Sequence, residues 1–277
     1  MAATVTGMAA DWRIAVAGLG SVGGKVAAAL DTGLPGFTLT AVSARDLGRA
    51  SERVAGFRSA PAVVPLDEIA EQAEIVVECL PPDVFEAVAR PILDKGGTLV
   101  AASAGALLRH HDLIDLARRR GGRIVVPSGA IAGLDGLRAG VEAGLEDVLL
   151  VTRKPPASFG DTVSVDGESL ATASIREPVR LFAGSARDAV VRFPVNVNVA
   201  AALSLAGLGP DRTRVEVWAD PGLDRNRHEI SVRSATSAFT ATVVNLPDPD
   251  NPRSSGITGH SIVAALRRMT DPLVVGS

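Results

Sequence analysis

Tyrosine is absent from the 277 residues of the chain, and aromatic residues make up only 3% of it. Without a tyrosine, the chain cannot belong to the dehydrogenase classes that use a tyrosine hydroxyl as general acid. Lysine is scarce too, because the 28 basic residues include only Lys25, Lys95 and Lys154. Lys25 falls inside a predicted helix and Lys95 at a helix end, where a cation interacts favourably with the helix dipole. Lys154 is therefore the lysine left for a functional role.

The single cysteine, Cys79, excludes an intrachain disulfide and a zinc site built from several cysteines. Apolar neighbours in a predicted strand indicate a core thiol rather than a nucleophile. The first residues lack the basic segment and long apolar run of a secretory signal, and no stretch reaches the ~20 apolar residues of a membrane span. We therefore expect a cytoplasmic protein that does not enter a membrane.

The charge balance is slightly acidic, with a net charge of -3 and a pI near 5.8. Binding to nucleic-acid phosphates needs clustered lysine and arginine, so that class of function is not expected. Hydrophobic residues make up 47% of the chain and charged residues 21%, which predicts a well-buried core. At about 150 residues per domain, the length predicts about two domains or one large one.

A glycine motif near the start of the chain predicts a nucleotide site. Residues 12–17 are apolar and prone to form a strand, and an alanine-rich helical pattern covers residues 22–30. The sequence GLGSVG joins them, which is the strand–turn–helix context of a dinucleotide-binding fingerprint. The turn and the helix N-terminus would hold a pyrophosphate through backbone N–H groups. The candidate cofactor residues here are Gly18, Gly20, Ser21, Val22 and Gly23.

Strands and helices alternate through the first half of the chain, which predicts a Rossmann-type, doubly wound parallel α/β sheet. Besides the first strand, strands are expected at residues 37–43, 75–79, 98–101 and 123–126. Further helices are expected at residues 47–54, 66–72, 82–94 and 107–120.

After residue 127 strands follow one another with fewer helices, which predicts an α+β domain with a largely antiparallel sheet. Strands are expected at residues 148–152, 162–165, 214–218, 228–232 and 239–244. Helices are expected at residues 186–193, 197–206 and 259–269, with a loop at 245–255. The predicted domains are residues 1–130 for the dinucleotide and 131–256 for catalysis and dimerisation, with the helix in 257–277 packing back on the first.

The end of the second strand bears on the choice between NAD and NADP. An acidic residue there would bind the ribose 2′-hydroxyl of NAD, but the sequence places Ser43 at that point. Arg45 can pair with the 2′-phosphate of NADP, and Asp46 can reach the ribose. Arg45 as a plain surface residue is the alternative. Both cofactors stay open.

Four histidines are the remaining groups that titrate near neutral pH. His110 and His111 are adjacent in a predicted helix and indicate a solvated face. His260 precedes or starts the last helix, where it can cap that helix or line the cleft. His228 follows a polar turn at the mouth of a predicted strand and is the catalytic candidate. No HExxH or paired i, i+4 histidine motif occurs, so no metal is expected.

Seven segments together make the chain resemble the L-aspartate dehydrogenases that serve NAD biosynthesis. They are residues 18–23 (GLGSVG), 78–82 (ECLPP), 127–135 (PSGAIAGLD), 152–156 (TRKPP), 193–201 (FPVNVNVAA), 226–230 (NRHEI) and 251–255 (NPRSS). The first is generic, whereas PSGAIAGLD and FPVNVNVAA are far more specific.

The resemblance implies an NAD(P)-dependent oxidative deamination. A hydride leaves Cα of L-aspartate for the nicotinamide, and the iminosuccinate formed hydrolyses to oxaloacetate and ammonia or feeds pyridine nucleotide synthesis. The resemblance further implies that His228 is the acid/base, and that Ala132 and Asn198 contact the cofactor near its nicotinamide end. Loop packing and a helix cap are the alternative roles of these two residues.

The chemistry places the site in the cleft between the domains and requires that two substrate carboxylates be neutralised. The candidates for this are Lys154, Arg227, Ser254, Ser255 and Thr258. A dehydrogenase or imine reductase for another small amino or hydroxy dicarboxylate is the alternative activity. A nucleotide-binding protein without catalysis is the alternative of a different class. A homodimer through an uncovered face of the antiparallel sheet is expected.

Overall fold

Residues 11–165, 168–193 and 198–276 are described by the structure, a computed structural model. The chain forms two compact units. The first runs up to Ser103 and includes His110–Val125 and Ile262–Val274. The second consists of Ala104–Arg109, Val126–Ser261 and the end of the chain from Val275. Neither unit is one continuous segment.

A six-stranded parallel sheet forms the first unit. Its strands are β1 (Trp12–Ala17), β2 (Phe37–Ser43), β3 (Ala62–Val63), β4 (Ile75–Glu78), β5 (Thr98–Ala101) and β6 (Arg123–Val125). Its helices are α1 (Ser21–Asp31), α2 (Leu47–Val54), α3 (Phe85–Asp94) and α5 (Asp112–Arg120). The strand order β3-β2-β1-β4-β5-β6 reverses direction between β1 and β4. This order confirms the predicted Rossmann-type sheet, and ligands of such sheets bind at the carboxyl ends of the strands beside the reversal.

The strands of this sheet are buried on both faces, as the continuous apolar sequence of β1 requires. Ile14 and Val16 are fully buried there, and Val26 and Leu30 of α1 pack on the same core. The last helix, α9 (Thr258–Thr270), adds Ile262 and Leu266 to that core.

A five-stranded sheet in the order β10-β11-β7-β12-β13 forms the second unit. Its strands are β7 (Leu145–Lys154), β10 (Val179–Ser185), β11 (Arg214–Ala219), β12 (Asn226–Ser234) and β13 (Ala238–Asn245). Its helices are α4 (Ala104–Arg109), α6 (Leu134–Glu142), α7 (Ala186–Arg192) and α8 (Asn198–Ala206). Three of the four strand pairs are antiparallel, and only β11 and β7 are parallel. The prediction of a second, largely antiparallel sheet is confirmed.

Burial alternates along β7, which shows that helices cover one face of this sheet. Val148 and Leu150 are buried, whereas Leu149 and Val151 between them are partly exposed. The buried residues pack with Leu137 of α6 and with α4, α7 and α8. Thr152 and Lys154 continue the buried row, so the helix-covered face carries polar groups at the end of β7.

Three of the predicted elements differ in the structure. The helix expected at residues 66–72 is only a short 3-10 helix, Ile69–Glu71. The helix expected at residues 107–120 is two helices, α4 and α5, with His110 and His111 between them. Asp112 and Asp115 favour a new helix start because acidic side chains stabilise the first turn. The loop expected at residues 245–255 contains a short hairpin of β14 (Pro247–Asp248) and β15 (Asn251–Ser255).

A further hairpin, β8 (Thr162–Val165) with β9 (Glu168–Ala171), lies beside the main sheet of the second unit. Strands β3, β9 and β10 are absent from the sequence prediction. The start expected for α8 at residue 197 lies outside the described residues. Within the described ranges, no helix is long and apolar enough to cross a bilayer.

Candidate active site

The glycine motif lies at the carboxyl end of β1, where close backbone contacts exclude side chains. Gly18 has φ +94°, and its N–H donates to the Ser43 carbonyl over 2.8 Å. A Cβ at Gly18 would collide with the Cys79 carbonyl, and one at Gly23 with the Gly18 carbonyl. Glycine at these two positions therefore brings β1, β4 and α1 together in a tight turn.

The N-terminus of α1 forms an open cradle for an anion. Gly20 is its N-cap residue, makes no side-chain cap, and has no other heavy atom within 4 Å of where a Cβ would stand. The Ser21 hydroxyl is buried there and has no hydrogen-bond partner in the described chain. Unpaired N–H groups, the helix dipole and this hydroxyl fit a pyrophosphate. Val22, the next residue, packs on the core of the unit.

The end of β2 presents an exposed arginine and an exposed carboxylate. Ser43 is fully buried, and Asp46 accepts a hydrogen bond from the Arg49 N–H over 3.0 Å as the N-cap of α2. Arg45 lies between them and is exposed. The cap occupies one oxygen of the Asp46 carboxylate, so Arg45 and Asp46 both stay candidates to meet a ribose substituent.

The guanidinium of Arg53 lies beside the glycine turn. Arg53, in the last turn of α2, donates a hydrogen bond to the Leu19 carbonyl. Its Nη2 lies 2.7 Å from where a Cβ of Gly24 would stand. Sequence reasoning missed Arg53, because its distance from the turn depends on how α2 packs.

Replacing Arg45 with alanine is expected to raise KM for NADP relative to KM for NAD by about tenfold. The variant loses a charged hydrogen bond to the 2′-phosphate, an interaction worth ~1.5 kcal/mol. Steady-state kinetics with both cofactors measures the ratio. Arg49→Ala, at an exposed position of α2, is the matched control. An unchanged ratio in the Arg45 variant would assign this arginine to the surface.

Glu78 is a buried carboxylate that sequence reasoning did not single out. It ends β4 and is 0% exposed. Its Oε1 accepts hydrogen bonds from the Leu80 N–H (2.7 Å) and the Ser103 hydroxyl (2.9 Å), and its Oε2 accepts one from the Ser103 N–H (3.0 Å). These bonds join the loops after β4 and β5 at the ligand edge of the sheet. Burial raises the pKa of Glu78 to about 7 despite the three bonds, each of which lowers it.

The raised pKa of Glu78 predicts a loss of stability as pH rises. In the folded chain Glu78 keeps its proton up to about pH 7, whereas in the unfolded chain it releases the proton near pH 4.5. The protonated carboxyl therefore stabilises the folded state fully below pH 4.5, and this stabilisation is lost as the pH rises to about 7. Relative to wild type, Glu78→Gln is expected to gain unfolding free energy between pH 5 and 8, by up to ~3 kcal/mol. Urea denaturation at both pH values measures this, with the exposed Glu52→Gln as control. A pH-independent difference would contradict the burial argument.

In the second unit, His228 of β12 lies directly opposite Thr152 of β7. The histidine is 4% exposed, and its Nδ1 is 3.1 Å from the Thr152 Oγ1. Burial, with a smaller contribution from the Lys154 charge, lowers the pKa of His228 to about 3. The imidazole is therefore neutral at physiological pH and has a free lone pair, although burial and the nearby cation make it a weaker base than an exposed imidazole.

Lys154 follows Thr152 by two residues, so both side chains lie on the helix-covered face of the sheet. The lysine is 6% exposed, and burial lowers its pKa to about 8. A small pocket that opens to solvent adjoins these side chains. Its lining comprises Leu150, Thr152, Lys154, Phe193, Ala200, Val215 and Val217. A neutral base and a buried cation beside an apolar pocket are a setting for a small anion.

The loop that carries Ala132 is held at the end of β13. Asn245 is buried and donates from Nδ2 to the Ala130 carbonyl over 2.9 Å, and it pairs with Asn226, two residues before His228. Ala132 itself is exposed. The structure therefore places the PSGAIAGLD loop at the same end of the sheet as His228.

Asn198 begins α8, two residues before Ala200 of the pocket. Its Oδ1 accepts a hydrogen bond from the Gly105 N–H over 3.0 Å, so the side chain binds the first turn of α4. This contact matches the capping role that was the alternative for this residue. Pro194–Val197 of the FPVNVNVAA segment lie outside the described residues.

The hydroxyl candidates for substrate binding lie on the second hairpin and at the start of α9. Ser254 accepts a hydrogen bond from the Asn251 Nδ2 over 3.0 Å. Ser255 is buried, and its hydroxyl has no partner within the described chain. Thr258 is partly exposed, and its backbone carbonyl accepts a hydrogen bond from the Ser261 hydroxyl. The same hydroxyl oxygen accepts a hydrogen bond from the Gly129 N–H. These bonds link α9 to the loop that carries Ala132.

The remaining histidines and the cysteine lie in other surroundings. His110 packs against the Phe85 ring, with 6.1 Å between ring centroids, and lies 3.4 Å from a Glu86 oxygen. It therefore contacts α3, and only His111 of the pair is fully on the surface. His260 is exposed on α9. Burial and the neighbouring Glu78 raise the pKa of the Cys79 thiol, as expected for a core cysteine.

Comparison with protein families assigns both parts of the chain. Residues 135–269 match the family model for the C-terminal part of aspartate dehydrogenase. Residues 18–127 match the NAD-binding domain of homoserine dehydrogenase. The second match contains the glycine turn and supports NAD or NADP as the cofactor.

Similar proteins extend over nearly the whole chain. An L-aspartate dehydrogenase of Bradyrhizobium diazoefficiens is 45% identical over 96% of this chain and 95% of its own length. One of Bordetella bronchiseptica is 43% identical over 95% and 97%. The crystal structure of aspartate dehydrogenase from Thermotoga maritima has a TM-score of 0.73 and 25% identity, covering 96% of this chain and 99% of that one. The resemblance seen in the sequence is confirmed, and the chain belongs to the aspartate dehydrogenase family.

Proposed function

We propose that the chain catalyses the NAD(P)-dependent oxidative deamination of L-aspartate to iminosuccinate, with His228 as the acid/base. The observation that carries this proposal is the buried, neutral imidazole of His228 beside the cationic Lys154 on one face of a sheet. Relatives over 40% identical, matched from end to end, bear the name L-aspartate dehydrogenase. Iminosuccinate then hydrolyses to oxaloacetate and ammonia.

The glycine turn and α1 hold the cofactor pyrophosphate in this proposal. The nicotinamide supplies the hydride acceptor when it is bound. Gly18, Gly20 and Gly23 keep side chains out of the turn, and the buried Ser21 hydroxyl donates to a phosphate oxygen. Arg45 meets the ribose substituent, and Ala132 and Asn198 are assigned to the nicotinamide end.

His228 takes a proton from the substrate nitrogen. Oxidation of Cα leaves a positive charge on that nitrogen, and the charge disappears when an N–H proton passes to the imidazole. Because burial lowers the pKa of His228, the ring is neutral before the reaction and has a lone pair available. The imidazolium then returns the proton to solvent or to the leaving ammonia.

Lys154 pairs with one of the two substrate carboxylates. Its pKa of about 8 leaves the ammonium charged at neutral pH, and a carboxylate entering the buried site stabilises that charge. Ser254, Ser255 and Thr258 are further candidates for carboxylate binding, and the buried Ser255 hydroxyl has the strongest case.

The direct test is formation of reduced cofactor from NAD or NADP at alkaline pH, followed by absorbance, with a panel of amino and hydroxy acids. We expect turnover with L-aspartate and none with D-aspartate. Preference for another small dicarboxylate or its imine would favour the related dehydrogenase or imine reductase. Cofactor binding without turnover of any substrate would favour a non-catalytic protein and overturn the proposal.

We further propose that the chain forms a homodimer in the cytoplasm. The sheet face opposite the helices exposes Val244 and carries Leu149 and Val151, which a second copy of the chain would cover. Trp218 lies on the same face, with the Arg153 guanidinium 4.5 Å from its ring centroid. Light scattering tests the dimer, and a monomeric mass at all concentrations would contradict it.

A further inference from the structure

Thr152 makes the hydrogen bond that orients the His228 ring. Its Oγ1 is 3.1 Å from Nδ1, and both residues are at most 5% exposed. The two positions are register partners on adjacent antiparallel strands, β7 and β12. The backbone ladders of two strands, and the stiff χ1 of a β-branched residue, therefore fix where the hydroxyl stands.

The direction of this hydrogen bond decides which imidazole nitrogen is basic. If Nδ1–H donates to the Thr152 hydroxyl oxygen, Nε2 keeps its lone pair and can accept a proton. If the hydroxyl donates to Nδ1, Nε2 carries the hydrogen and cannot act as a base. Once Nε2 is protonated, both nitrogens are donors, and only an acceptor at Thr152 satisfies Nδ1–H.

We propose that Thr152 is the positioning residue of His228, with Oγ1 accepting the Nδ1 hydrogen so that Nε2 is the proton-accepting atom. This inference rests on the proposed acid/base role of His228. A proton leaves the substrate nitrogen for Nε2, and the bond from Nδ1–H to Oγ1 persists through the transfer. Thr152 acts through the His228 ring in this arrangement and does not itself accept the proton.

The surroundings of the pair make the hydroxyl hard to replace. The residue opposite His228 on β13 is Val243, and the pocket lining from other elements consists of Phe193, Ala200, Val215 and Val217. These side chains offer no hydrogen-bond acceptor. Lys154 is the titratable side chain of the lining, and its ammonium only donates. Loss of the hydroxyl therefore leaves the buried Nδ1–H without an acceptor among these described side chains.

The test compares Thr152→Val, which keeps the shape and removes the hydroxyl, with Thr152→Ser, which keeps the hydroxyl. We expect kcat to fall by about 10- to 100-fold in the valine variant, with KM for the cofactor unchanged, and to recover to within about threefold of wild type in the serine variant. Thr38→Val, at an exposed position of β2, is the matched control. Full kcat in the valine variant would overturn the inference.

Nitrogen NMR of the imidazole rings gives a readout independent of activity. With four histidines in the chain, the His228 signals are identified by their loss in His228→Asn. We expect wild type to show hydrogen on Nδ1 and a lone pair on Nε2, and the valine variant a mixture of tautomers. Hydrogen on Nε2 in wild type would overturn the inference, even if Thr152→Val did not fold.

The two proposals fail in different ways. Full activity of His228→Asn would remove the acid/base role and leave the measured tautomer as a structural fact. If His228→Asn were inactive and Thr152→Val fully active, only the positioning role of Thr152 would be contradicted.

Discussion

Replacing His228 with asparagine is expected to lower kcat for L-aspartate by about 10²- to 10⁴-fold, the usual contribution of a general base. The side chain is buried against Thr152 and Lys154, and asparagine fills similar space without accepting a proton at neutral pH. Steady-state kinetics measures the fall. Cofactor affinity, followed by fluorescence titration, should change little because the glycine turn belongs to the other unit.

His111→Asn is the matched control for this experiment. His111 is exposed, makes no side-chain cap at the start of α5, and belongs to the first unit. We expect wild-type kinetics from it. If His228→Asn retained wild-type kcat, proton transfer would belong to another group, and Lys154, with its lowered pKa, would be the next to test.

Replacing Gly20 with alanine is expected to weaken cofactor binding by at least tenfold, or ~1.4 kcal/mol, without lowering stability. Gly20 has φ −69° and ψ −163°, an extended conformation open to alanine, and the new methyl group would meet no protein atom. It would instead occupy the space that a pyrophosphate needs at the N-terminus of α1. Equilibrium titration and thermal unfolding of the apoprotein separate the two effects.

Gly56→Ala provides the control for this prediction. A Cβ there also points into open space, and the residue lies away from the glycine turn in sequence. We expect unchanged affinity and unchanged stability. Wild-type affinity in Gly20→Ala would mean that the cofactor does not approach the turn as closely as proposed. Gly23→Ala is a poorer probe, because its methyl group would collide with the Gly18 backbone and disturb folding.

The first unit could be predicted from sequence because its strands and turns are set locally. Short runs of β-prone, mostly apolar residues indicated the bounds of β1 and β2, and the glycine spacing placed the turn between β1 and α1. The break between α4 and α5 was missed because the four polar residues 109–112 also fit the exposed face of one continuous helix. Its signal was the pair of acidic residues, Asp112 and Asp115, at a helix start.

The second unit was harder because its sheet depends on pairing between distant segments. The parallel pair of β11 and β7 joins strands more than 60 residues apart, and no local pattern indicates it. Strand β10 has partly exposed residues over most of its length, so it lacks a clear alternation. The hairpin of β14 and β15 is short and rich in proline and aspartate, a composition typical of loops.

The sequence indicated those candidate residues whose type alone suggests a chemical role. It did not indicate the residues whose role depends on which distant residue they pair with. His228 and Lys154 stand out as rare titratable groups in this composition. Thr152 and Glu78 do not, since threonine and glutamate are common and only tertiary pairing gives them their partners. Arg53 was missed for the same reason, because α2 brings it to the glycine turn.

The contribution of α9 to the first core has a consequence for how the protein is made. Ile262 and Leu266 are both fully enclosed in that core, yet they follow every strand of the other unit along the chain. On the ribosome, the nucleotide-binding unit therefore cannot close its interior until every strand of the other unit has emerged. A chain that stops before α9 would leave an apolar gap beside β1, exposed to chaperones and proteases.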